Sequence, residues 1–237
     1  MGSSPPAFAL NPLLLLLLAA SSAGAAQDQY AAARESMVRR QIEQRGITSP
    51  DVLRAMRSIP RHEFVPADLR GMAYDDNPLP LGHGATISQP YIVALMTELL
   101  EPRKQDKVLE VGTGSGYQAA VLSRLAGQVY TIEIVPELAQ SARETLTRLG
   151  YRNVTVRTGD GYAGWPEQAP FDRIIVTAAP ADIPASLIAQ IVRGGRLVAP
   201  VGTAGAQELL VLTKDKNGKV SRRSVAPVAF VPMQHSK

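Results

Sequence analysis

The residues best suited to chemistry lie between Glu110 and Gly116, where an acid precedes three glycines spaced two apart. Gly112, Gly114 and Gly116 allow the backbone to turn sharply and to approach a ligand closely, because they carry no Cβ. The dinucleotide fingerprint is G-x-G-x-x-G, whereas the spacing here is G-x-G-x-G. A carboxylate two residues before the first glycine would repel a pyrophosphate, but it suits a ligand that carries positive charge.

A second acid, Glu133, follows the next apolar run of the chain. Its separation from the glycines is about that at which nucleotide-binding βαβ units place the carboxylate that accepts from ribose hydroxyls. S-adenosylmethionine combines a ribose with an ammonium and a sulfonium cation. The pattern therefore predicts a site for this nucleoside. A structural glycine turn and a nicotinamide dehydrogenase are alternatives, and Glu110 argues against the dehydrogenase.

The elements that must position these acids are a strand before the glycines and a helix after them. Val108 to Val111 is a short apolar run with one acid, which is typical of a buried parallel strand. Residues 117–125 carry apolar side chains at helical spacing, and Gly127 lies where a helix end favours glycine. A glycine turn that leads into a helix exposes free backbone N–H groups to a ligand.

Apolar periodicity and turn residues predict that helices and strands alternate along the rest of the chain. The predicted helices cover residues 30–45, 50–58, 90–100, 136–149 and 183–192, with Gly194-Gly195 ending the last one. The predicted strands cover residues 129–132, 154–156, 171–176, 196–201, 208–213 and 220–225. Residues 60–84 are rich in Pro, Gly and Asp, which predicts a long structured loop of the kind that borders substrate clefts. Asn217-Gly218 predicts a hairpin turn between the last two strands.

Two polar residues at element ends each allow two interpretations. Ser88 is either a plain N-cap of the helix over 90–100, which its spacing favours, or a hydroxyl positioned to receive an anionic substrate group. Asp160 falls just past a predicted strand, where it is either an ordinary turn residue or a ligand contact. The residues alone leave both choices open.

Several classes of chemistry are excluded by residues that the chain lacks. It has no cysteine, which excludes disulfides, Cys-ligated zinc and a thiol nucleophile. Its histidines, His62, His83 and His235, are scattered, so we expect no metal site and assign all three to loops or the surface. The strand end at residues 177–180 offers no Lys, His, Glu or Asp to act as a base.

Length and charge suit one α/β domain with an extension. The 237 residues are 45% hydrophobic, which is ample for a core, and the net charge of +4 is mild. Basic residues cluster only around the predicted hairpin, and we interpret that cluster as a solvated hairpin rather than a nucleic-acid surface. Its members are Lys214, Lys216, Lys219, Arg222 and Arg223. We therefore expect no nucleic-acid partner.

Residues 1–29 are set apart from the predicted fold as a leader or a disordered extension. The segment Leu13 to Ala26 is an apolar run followed by small residues, like a secretory leader, and it is too short to span a bilayer. However, no Lys or Arg precedes Arg34, and the predicted cofactor is made in the cytosol. We expect no integral membrane segment and a cytoplasmic location, with a periplasmic one as the alternative if the leader is functional.

Five motifs together resemble the protein-L-isoaspartate (D-aspartate) O-methyltransferase family, from about Met37 to Pro232. They are ATISQP at 85–90, EVGTGSGY at 110–117, GDG at 159–161, DRIIVTAAP at 172–180 and GGRLVAPVG at 194–202. The glycine turn is shared by many methyltransferases. The stretch TISQP combined with VTAAP is far more specific.

The resemblance implies an α/β fold with a Rossmann-like, seven-stranded methyltransferase sheet, mostly parallel, with a C-terminal antiparallel hairpin and N-terminal helices. It implies S-adenosylmethionine as methyl donor and the free carboxylate of L-isoaspartyl residues in damaged proteins as acceptor, with D-aspartyl residues as a further acceptor. Ser88 matches the family's active-site serine. The positions that match the cofactor site are Ile87, Glu110, Gly112, Thr113, Gly114, Glu133, Ile134, Asp160 and Gly161.

The expected organisation is one methyltransferase domain over residues 30–237, acting as a monomer. Residues 30–100 would form the N-terminal helices and substrate loop, 101–202 the cofactor-binding core, and 203–237 the C-terminal hairpin. An acceptor carboxylate with a pKa near ~3.5 is already ionised at neutral pH, so the reaction needs no general base. A methyltransferase of the same fold that acts on RNA or on a small molecule is the alternative.

Overall fold

A seven-stranded sheet forms the centre of the computed structural model, which describes residues 1–2 and 30–235. The proposed leader at Leu13–Ala26 lies outside the described residues. A separate hairpin pairs β1 (Leu79–Gly82) with β2 (Ala85–Ile87). The large sheet contains β3 (Lys107–Val111), β4 (Gln128–Glu133), β5 (Val154–Thr158), β6 (Phe171–Val176), β7 (Ile191–Thr203), β8 (Ala206–Lys214) and β9 (Val220–Val228).

The strand order β5-β4-β3-β6-β7-β8-β9 places the glycine turn at a reversal of the sheet. Strands β5, β4, β3, β6 and β7 are parallel, and β8 and β9 continue the sheet antiparallel. The chain runs outward from β3 to β4 and β5, then returns to add β6 on the other side. Ligands of open α/β sheets bind at the carboxyl ends of strands at such a point. The predicted mostly parallel sheet with a C-terminal hairpin is confirmed.

Helices cover the sheet on either side of this reversal. They are α1 (residues 30–37), α2 (Pro50–Ser58), α3 (Pro90–Leu100), α4 (Tyr117–Ser123), α5 (Pro136–Arg148) and α6 (Ala185–Ala189). In α2 the Ser49 side chain accepts from the Val52 N–H, and Pro50 occupies the first turn, as the sequence predicts. Helix α1 continues through a π-helical turn, Val38–Ile42, which buries two apolar side chains, and a 3₁₀ turn to Gly46.

The helix predicted over 183–192 is too long, and Gly194-Gly195 does not end it. Helix α6 ends at Ala189, and both glycines lie inside β7. A Cβ on Gly195 would come within 2.4 Å of Ile191 Cγ2 and 2.9 Å of the Asp172 carbonyl oxygen. The pairing of β6 with β7 shifts register in this stretch. The glycines therefore mark a β-bulge, which the helical periodicity of the preceding residues hid.

Gly127 was also wrongly interpreted as the end of a helix. Helix α4 ends at Ser123, with Arg124 as its C-cap, and Gly127 does not have the positive φ of a helix-ending glycine. A Cβ at Gly127 would lie 3.0 Å from the Lys104 carbonyl oxygen. Close backbone approach, rather than chain reversal, accounts for this glycine.

The predicted loop over residues 60–84 contains more structure than expected. It forms two 3₁₀ helices, Arg61–Phe64 and Ala67–Met72, and then strand β1. His83 and Gly84 connect β1 to β2 with φ values of 52° and 73°, as a two-residue type I′ hairpin turn requires. Histidine is uncommon in that conformation, so His-Gly gave a weak signal.

The strands that carry the glycine turn are buried on both faces of the sheet. All residues of β3 after Lys107 are buried, as are all residues of β6 except Asp172. Such burial explains why these strands are continuous apolar runs. In residues 1–2 and 30–235, no helix is long and apolar enough to cross a membrane.

Candidate functional site

A cavity of about 890 Å³ opens at the carboxyl ends of β3, β4 and β6. Nine of the ten predicted site residues line it, namely Ile87, Ser88, Glu110, Gly112, Thr113, Gly114, Glu133, Ile134 and Gly161. The tenth, Asp160, lies beside Gly161 without lining the cavity. The volume is within the range of pockets that hold cofactors or drug-sized ligands. The roles of the individual residues stay predictions.

The glycine turn is held tightly against the ends of the neighbouring strands. The Gly112 N–H donates to the Ile132 carbonyl oxygen at 2.8 Å, and Gly112 has a φ of 100°. The Thr177 hydroxyl lies 2.6 Å from the Gly112 carbonyl oxygen and 3.0 Å from that of Val111. A Cβ on Gly112 would lie only 2.4 Å from Thr177 Oγ1. Close packing against Thr177, as well as the positive φ, therefore requires glycine at position 112.

Glu133 at the end of β4 is a buried carboxylate that still has hydrogen-bonding capacity. Its Oε2 accepts from the Gly114 N–H at 2.7 Å, and its Oε1 accepts from the Val135 N–H at 3.1 Å. Each carboxylate oxygen can accept about two hydrogen bonds. One acceptor position on each oxygen is therefore left for a ligand, and the two backbone bonds fix the direction of the carboxylate.

Glu110 is the most unusual polar residue of the cavity. Its side chain is fully buried, and neither carboxylate oxygen has a hydrogen-bond partner within the part of the chain that the structure describes. Burial raises the pKa of Glu110 to about 8, and the nearby charge of Glu133 adds to the shift. The Thr131 hydroxyl opposes the shift, but it is paired with Thr113 Oγ1 at 2.7 Å and does not meet the geometry of a bond to Glu110.

An unpartnered buried carboxyl group is costly, so a native site that keeps one has a use for it. Because a nearby cation favours the ionised form of a carboxyl group, a positively charged ligand would relieve this cost. Glu110 therefore fits a ligand with an ammonium or a sulfonium group.

Ser88 follows β2 at the opposite side of the cavity and is half-buried. The residue at the N-cap of α3 is Gln89, and no side chain caps that helix. The interpretation of Ser88 as a plain N-cap is therefore wrong. Its carbonyl oxygen accepts from the Arg61 guanidinium at 2.8 Å, and its hydroxyl makes no hydrogen bond within the described residues. The hydroxyl can thus serve a ligand.

Asp160 and Gly161 form a tight turn after β5. Asp160 Oδ1 accepts from the Tyr162 N–H at 2.8 Å and caps a 3₁₀ turn, while Oδ2 lies 3.5 Å from His235 Nδ1. A Cβ on Gly161 would lie 2.2 Å from Val111 Cγ1, so the turn packs directly on β3. Asp160 therefore stabilises the turn as a turn aspartate does, and its predicted contact with the cofactor stays a prediction.

The three histidines differ from one another in environment. His235 is largely exposed, and its ring stacks on Tyr162 at 3.7 Å. His83 is exposed at the β1–β2 turn, yet it lines the mouth of the cavity. His62 is not a surface residue, since its ring stacks on Tyr30 at 4.0 Å and its Nδ1 lies 2.7 Å from Tyr74 Oη. Burial lowers the pKa of His62.

Sequence reasoning missed the segment of residues 230–235, called the C-terminal strap below. Val231, Pro232, Met233 and Gln234 line the cavity, and Ala179 anchors the strap. The Ala179 N–H donates to the Val231 carbonyl oxygen and the Met233 N–H donates to the Ala179 carbonyl oxygen, both at 2.8 Å. No spacing rule links residue 179 to residue 232, although the apolar pattern of the strap was a weak sign of burial.

Gln118 is a second missed residue of the cavity. Its Nε2 donates to Thr97 Oγ1 at 2.9 Å, and the Thr97 hydroxyl donates to the Val93 carbonyl oxygen at 2.7 Å. Because Thr97 has only one proton to give, this network fixes the Gln118 amide with its oxygen free to accept. Its position two residues after Gly116, in the first turn of α4, was a sequence signal that could have identified it as a residue of the cavity.

Residues 1–2 and 30–235 contain no group of three or more His, Asp or Glu side chains arranged to hold a metal ion. The polar groups that line the cavity are carboxylates, hydroxyls, backbone groups, the amides of Gln118 and Gln234, and the His83 imidazole at its mouth. Carboxylates on one wall and a free hydroxyl on the other can bind a cationic nucleoside beside an anionic partner. The arrangement can align two ligands.

Comparisons with known proteins agree on one family. The model of the family "Protein-L-isoaspartate(D-aspartate) O-methyltransferase (PCMT)" matches residues 32–237. A protein-L-isoaspartate O-methyltransferase of Opitutus terrae is 55% identical over 204 residues, covering 86% of this chain and 88% of its own length. Protein-L-isoaspartate O-methyltransferase 2 of Nitrosococcus oceani is 60% identical over 182 residues, covering 77% and 83%.

Solved structures give the same result for the fold. A protein-L-isoaspartate O-methyltransferase matches with a TM-score of 0.75 and 30% identity, over 84% of this chain and 65% of that one. A Plasmodium falciparum protein provisionally assigned to the same enzyme class matches with a TM-score of 0.74 and 25% identity, over 86% of this chain and 99% of that one. That protein was solved in complex with S-adenosyl-L-homocysteine.

Proposed function

The chain belongs to the protein-L-isoaspartate(D-aspartate) O-methyltransferase family, and from this premise we propose how its cavity performs the family's reaction. The protein is a repair methyltransferase that moves a methyl group from S-adenosylmethionine to the free carboxylate of L-isoaspartyl residues in damaged proteins and peptides. The roles given below to single residues are proposals. They rest on the geometry of the cavity and on the motifs that match the family.

The observation that carries the proposal is the buried, unpartnered carboxyl group of Glu110 on the cavity wall. When bound, S-adenosylmethionine supplies an electrophilic methyl group on a sulfonium cation. Glu110 faces the positive charge of this cofactor, and the free acceptor positions of Glu133 receive the ribose hydroxyls. Gly112, Thr113 and Gly114 give the cofactor close access to the backbone.

Four further residues complete the proposed cofactor site. Ile87, at the end of β2, and Ile134, after β4, are apolar groups that line the cavity. Gly161 brings the turn after β5 to its edge, so that Asp160 can accept from the adenine amino group. Asp160 already accepts from the Tyr162 N–H through Oδ1, and that bond would hold its carboxylate in a fixed orientation.

Ser88 acts on the acceptor side, where its hydroxyl donates to the isoaspartyl carboxylate and orients it. The carboxylate arrives ionised, because the reference pKa of such a group is about 3.5. The end of β6, at residues 177–180, accordingly carries no side chain able to take a proton. Alignment of reacting groups can contribute up to roughly 7–11 kcal/mol, so positioning by Ser88 takes the place of acid–base chemistry.

The remaining proposals concern organisation and location. Residues 30–237 act as one methyltransferase domain and as a monomer, with damaged proteins or peptides and not nucleic acid as partners. Segments 30–100, 101–202 and 203–237 supply the substrate side, the cofactor core and the C-terminal hairpin. We place the protein in the cytoplasm, where its cofactor is made. Export through residues 13–26 would move it to the periplasm.

A pair of peptides tests the proposed function. One contains an L-isoaspartyl residue, and its twin contains a normal aspartyl residue at the same position. We expect labelled methyl groups from S-adenosylmethionine to appear as base-labile esters on the isoaspartyl peptide alone. Equal labelling of the twins, or no affinity for the cofactor in calorimetry, would contradict the proposal.

A further inference from the structure

Arg61 is a buried cation that the mechanism above does not use. It opens the 3₁₀ helix Arg61–Phe64, and its side chain is completely buried. Among residues 1–2 and 30–235, no carboxylate lies within ion-pair distance of it, and Asp76, whose charge acts on it, is paired with Arg45 at 2.7 Å. Burial lowers the pKa of Arg61 to about 10, so the group stays charged at neutral pH. Arginine is almost never fully buried without a partner, so a side chain kept in this state calls for an explanation.

The guanidinium of Arg61 connects two segments that are distant in the chain. Its Nε donates to the Ala73 carbonyl oxygen at 2.8 Å, and its Nη2 donates to the Ser88 carbonyl oxygen at 2.8 Å. The third nitrogen, Nη1, is buried without a partner within the described residues. One planar group therefore fixes the loop at residue 73 relative to the residue that carries the acceptor-side hydroxyl.

The same guanidinium also contacts the first residue of the helix that follows the glycine turn. Its central carbon lies 4.8 Å from the ring centroid of Tyr117, within the range of a cation–π contact. Tyr117 is the first residue of α4 and directly follows the glycine turn. Arg61 thus connects the residue that follows β2 to the start of α4.

The bond from Arg61 holds the Ser88 carbonyl itself, whereas the neighbouring Gln89 is held by its own side chain, which donates to the Asp76 carbonyl oxygen, and by the Val93 N–H. The peptide between Ser88 and Gln89 follows β2 directly, and no side chain caps α3. The orientation of this peptide sets the direction in which the Ser88 hydroxyl points into the cavity. A shift of about 1 Å in a positioning group can cost about 100-fold in rate.

We infer that Arg61 is a positioning residue for methyl transfer, which holds the Ser88 carbonyl so that the Ser88 hydroxyl meets the isoaspartyl carboxylate. The inference rests on the proposed role of Ser88. The Arg61 guanidinium binds the carbonyl group of Ser88, and it therefore also places a positive charge near the acceptor site. This charge favours the binding of an anion. Lysine would keep that charge, but it lacks the fixed fork that serves two carbonyl groups at once.

Steady-state kinetics on an isoaspartyl peptide test the inference with five variants. We expect Arg61→Met to lower kcat about 100-fold and to raise KM, because geometry and charge are both lost. We expect Arg61→Lys to lower kcat about tenfold with KM near the wild-type value. Cofactor affinity, measured by calorimetry, should stay near wild type in both variants and reports that the cavity is folded.

Arg34→Met is the matched control for loss of an arginine from the same region. Arg34 donates to the Arg57 carbonyl oxygen and to Tyr74 Oη, and it makes no contact with Ser88. This variant should lower the melting temperature and leave kcat unchanged. If Arg61→Met fails to fold, Arg61→Lys carries the test, and a wild-type kcat in a folded Arg61→Lys would then overturn the inference.

The double variant Ser88→Ala/Arg61→Met separates the inference from the proposal beneath it. If Arg61 acts through Ser88, its replacement should cost little further rate once the hydroxyl is gone. Additive losses would show that Arg61 acts by another route and would overturn the inference. A wild-type rate for Ser88→Ala would overturn the proposed role of Ser88 instead. A wild-type rate for Arg61→Met beside a slow Ser88→Ala would overturn only the role of Arg61.

Discussion

The two walls of the cavity are built in different ways. The donor wall, residues 110–116 and 132–135, consists of the ends of two adjacent parallel strands and the turn between β3 and α4. Its key bonds are made within this one βαβ unit, including those from Gly112 to Ile132 and from Gly114 to Glu133. The acceptor wall, residues 83–88 and the C-terminal strap, joins segments almost 150 residues apart.

Long side chains from other parts of the chain hold the acceptor wall in place. Arg61 binds the Ser88 carbonyl, and Gln89 Nε2 donates to the Asp76 carbonyl oxygen at 3.0 Å. Gln207 holds the strap by accepting from the Phe230 N–H and donating to its carbonyl oxygen. A side-chain hydrogen bond of this kind can be removed by a single substitution, whereas the backbone hydrogen bonds of a sheet cannot. Changes at the donor wall should therefore act on cofactor affinity, and changes at the acceptor wall on turnover and peptide KM.

Ser88→Ala should have the largest effect and should show it on turnover alone. Loss of the hydroxyl that aligns the carboxylate is expected to lower kcat about 100-fold, while cofactor affinity stays near the wild-type value. Single-turnover rates with saturating isoaspartyl peptide measure the effect, and Ser88→Thr, which keeps a hydroxyl, is the matched control. An unchanged turnover of Ser88→Ala would contradict the prediction that substitutions at the acceptor wall act on turnover.

Glu133→Ala, on the donor wall, should weaken cofactor binding rather than slow turnover. Hydrogen bonds to charged groups contribute about 1.5–3 kcal/mol each, so the loss of even one of the two ribose bonds is expected to lower cofactor affinity by roughly 10–100-fold. The kcat at saturating cofactor should change much less. Calorimetry measures the affinity, and Glu133→Gln, which keeps one acceptor oxygen, should fall between wild type and Glu133→Ala. Undiminished binding by Glu133→Ala would show that the ribose hydroxyls have other partners.

This difference between the walls also explains what the sequence could predict. The donor wall was predictable because Glu110, the three glycines and Glu133 lie within 24 residues, and a strand–turn–helix unit needs only local rules. On the acceptor wall, Ser88 could be assigned only through the family resemblance, since its spacing suggested an N-cap. Arg61 and the strap depend on contacts that no local pattern encodes, and the β-bulge at Gly195 depends on packing against Asp172.

Glu110→Gln tests the charge of the donor wall through its pH dependence. With a pKa of about 8 in the free protein, Glu110 is mostly protonated at pH 7, and a cationic cofactor favours its ionised form. Wild-type affinity should therefore rise with pH, by at most about tenfold per pH unit, until about pH 8. The Glu110→Gln variant should bind more weakly and lack this component of the pH dependence. Calorimetry in buffers of different ionisation enthalpy measures the released proton.

The same substitution has a predicted effect on the stability of the free protein. The folded-state pKa of Glu110 lies above its ordinary value of 4.5, so the folded protein retains a proton that the unfolded chain has lost. Its contribution to stability is full below about pH 4.5 and is lost as pH rises to about 8. Because glutamine does not ionise, the Glu110→Gln variant should not lose this stability as pH rises. The melting temperature of the variant minus that of wild type should therefore be larger at pH 8 than at pH 5. A constant difference would contradict the assigned pKa.

The smallest effect is expected at the strap, where two variants compare a buried tether with an exposed one. Gln207 is buried and makes paired bonds of 2.7 and 3.0 Å to Phe230, whereas His235 is largely exposed beside Asp160. Removing one partner of a buried bond costs about 1–3 kcal/mol, while exposed ion pairs contribute about 0–1 kcal/mol. Gln207→Met should therefore raise the KM of the isoaspartyl peptide several-fold and lower the melting temperature. His235→Ala should change neither measurably. Gln207 contacts Phe230 and none of the proposed cofactor residues, so cofactor affinity should stay constant in Gln207→Met, and a loss of affinity there would show that the strap also belongs to the donor side.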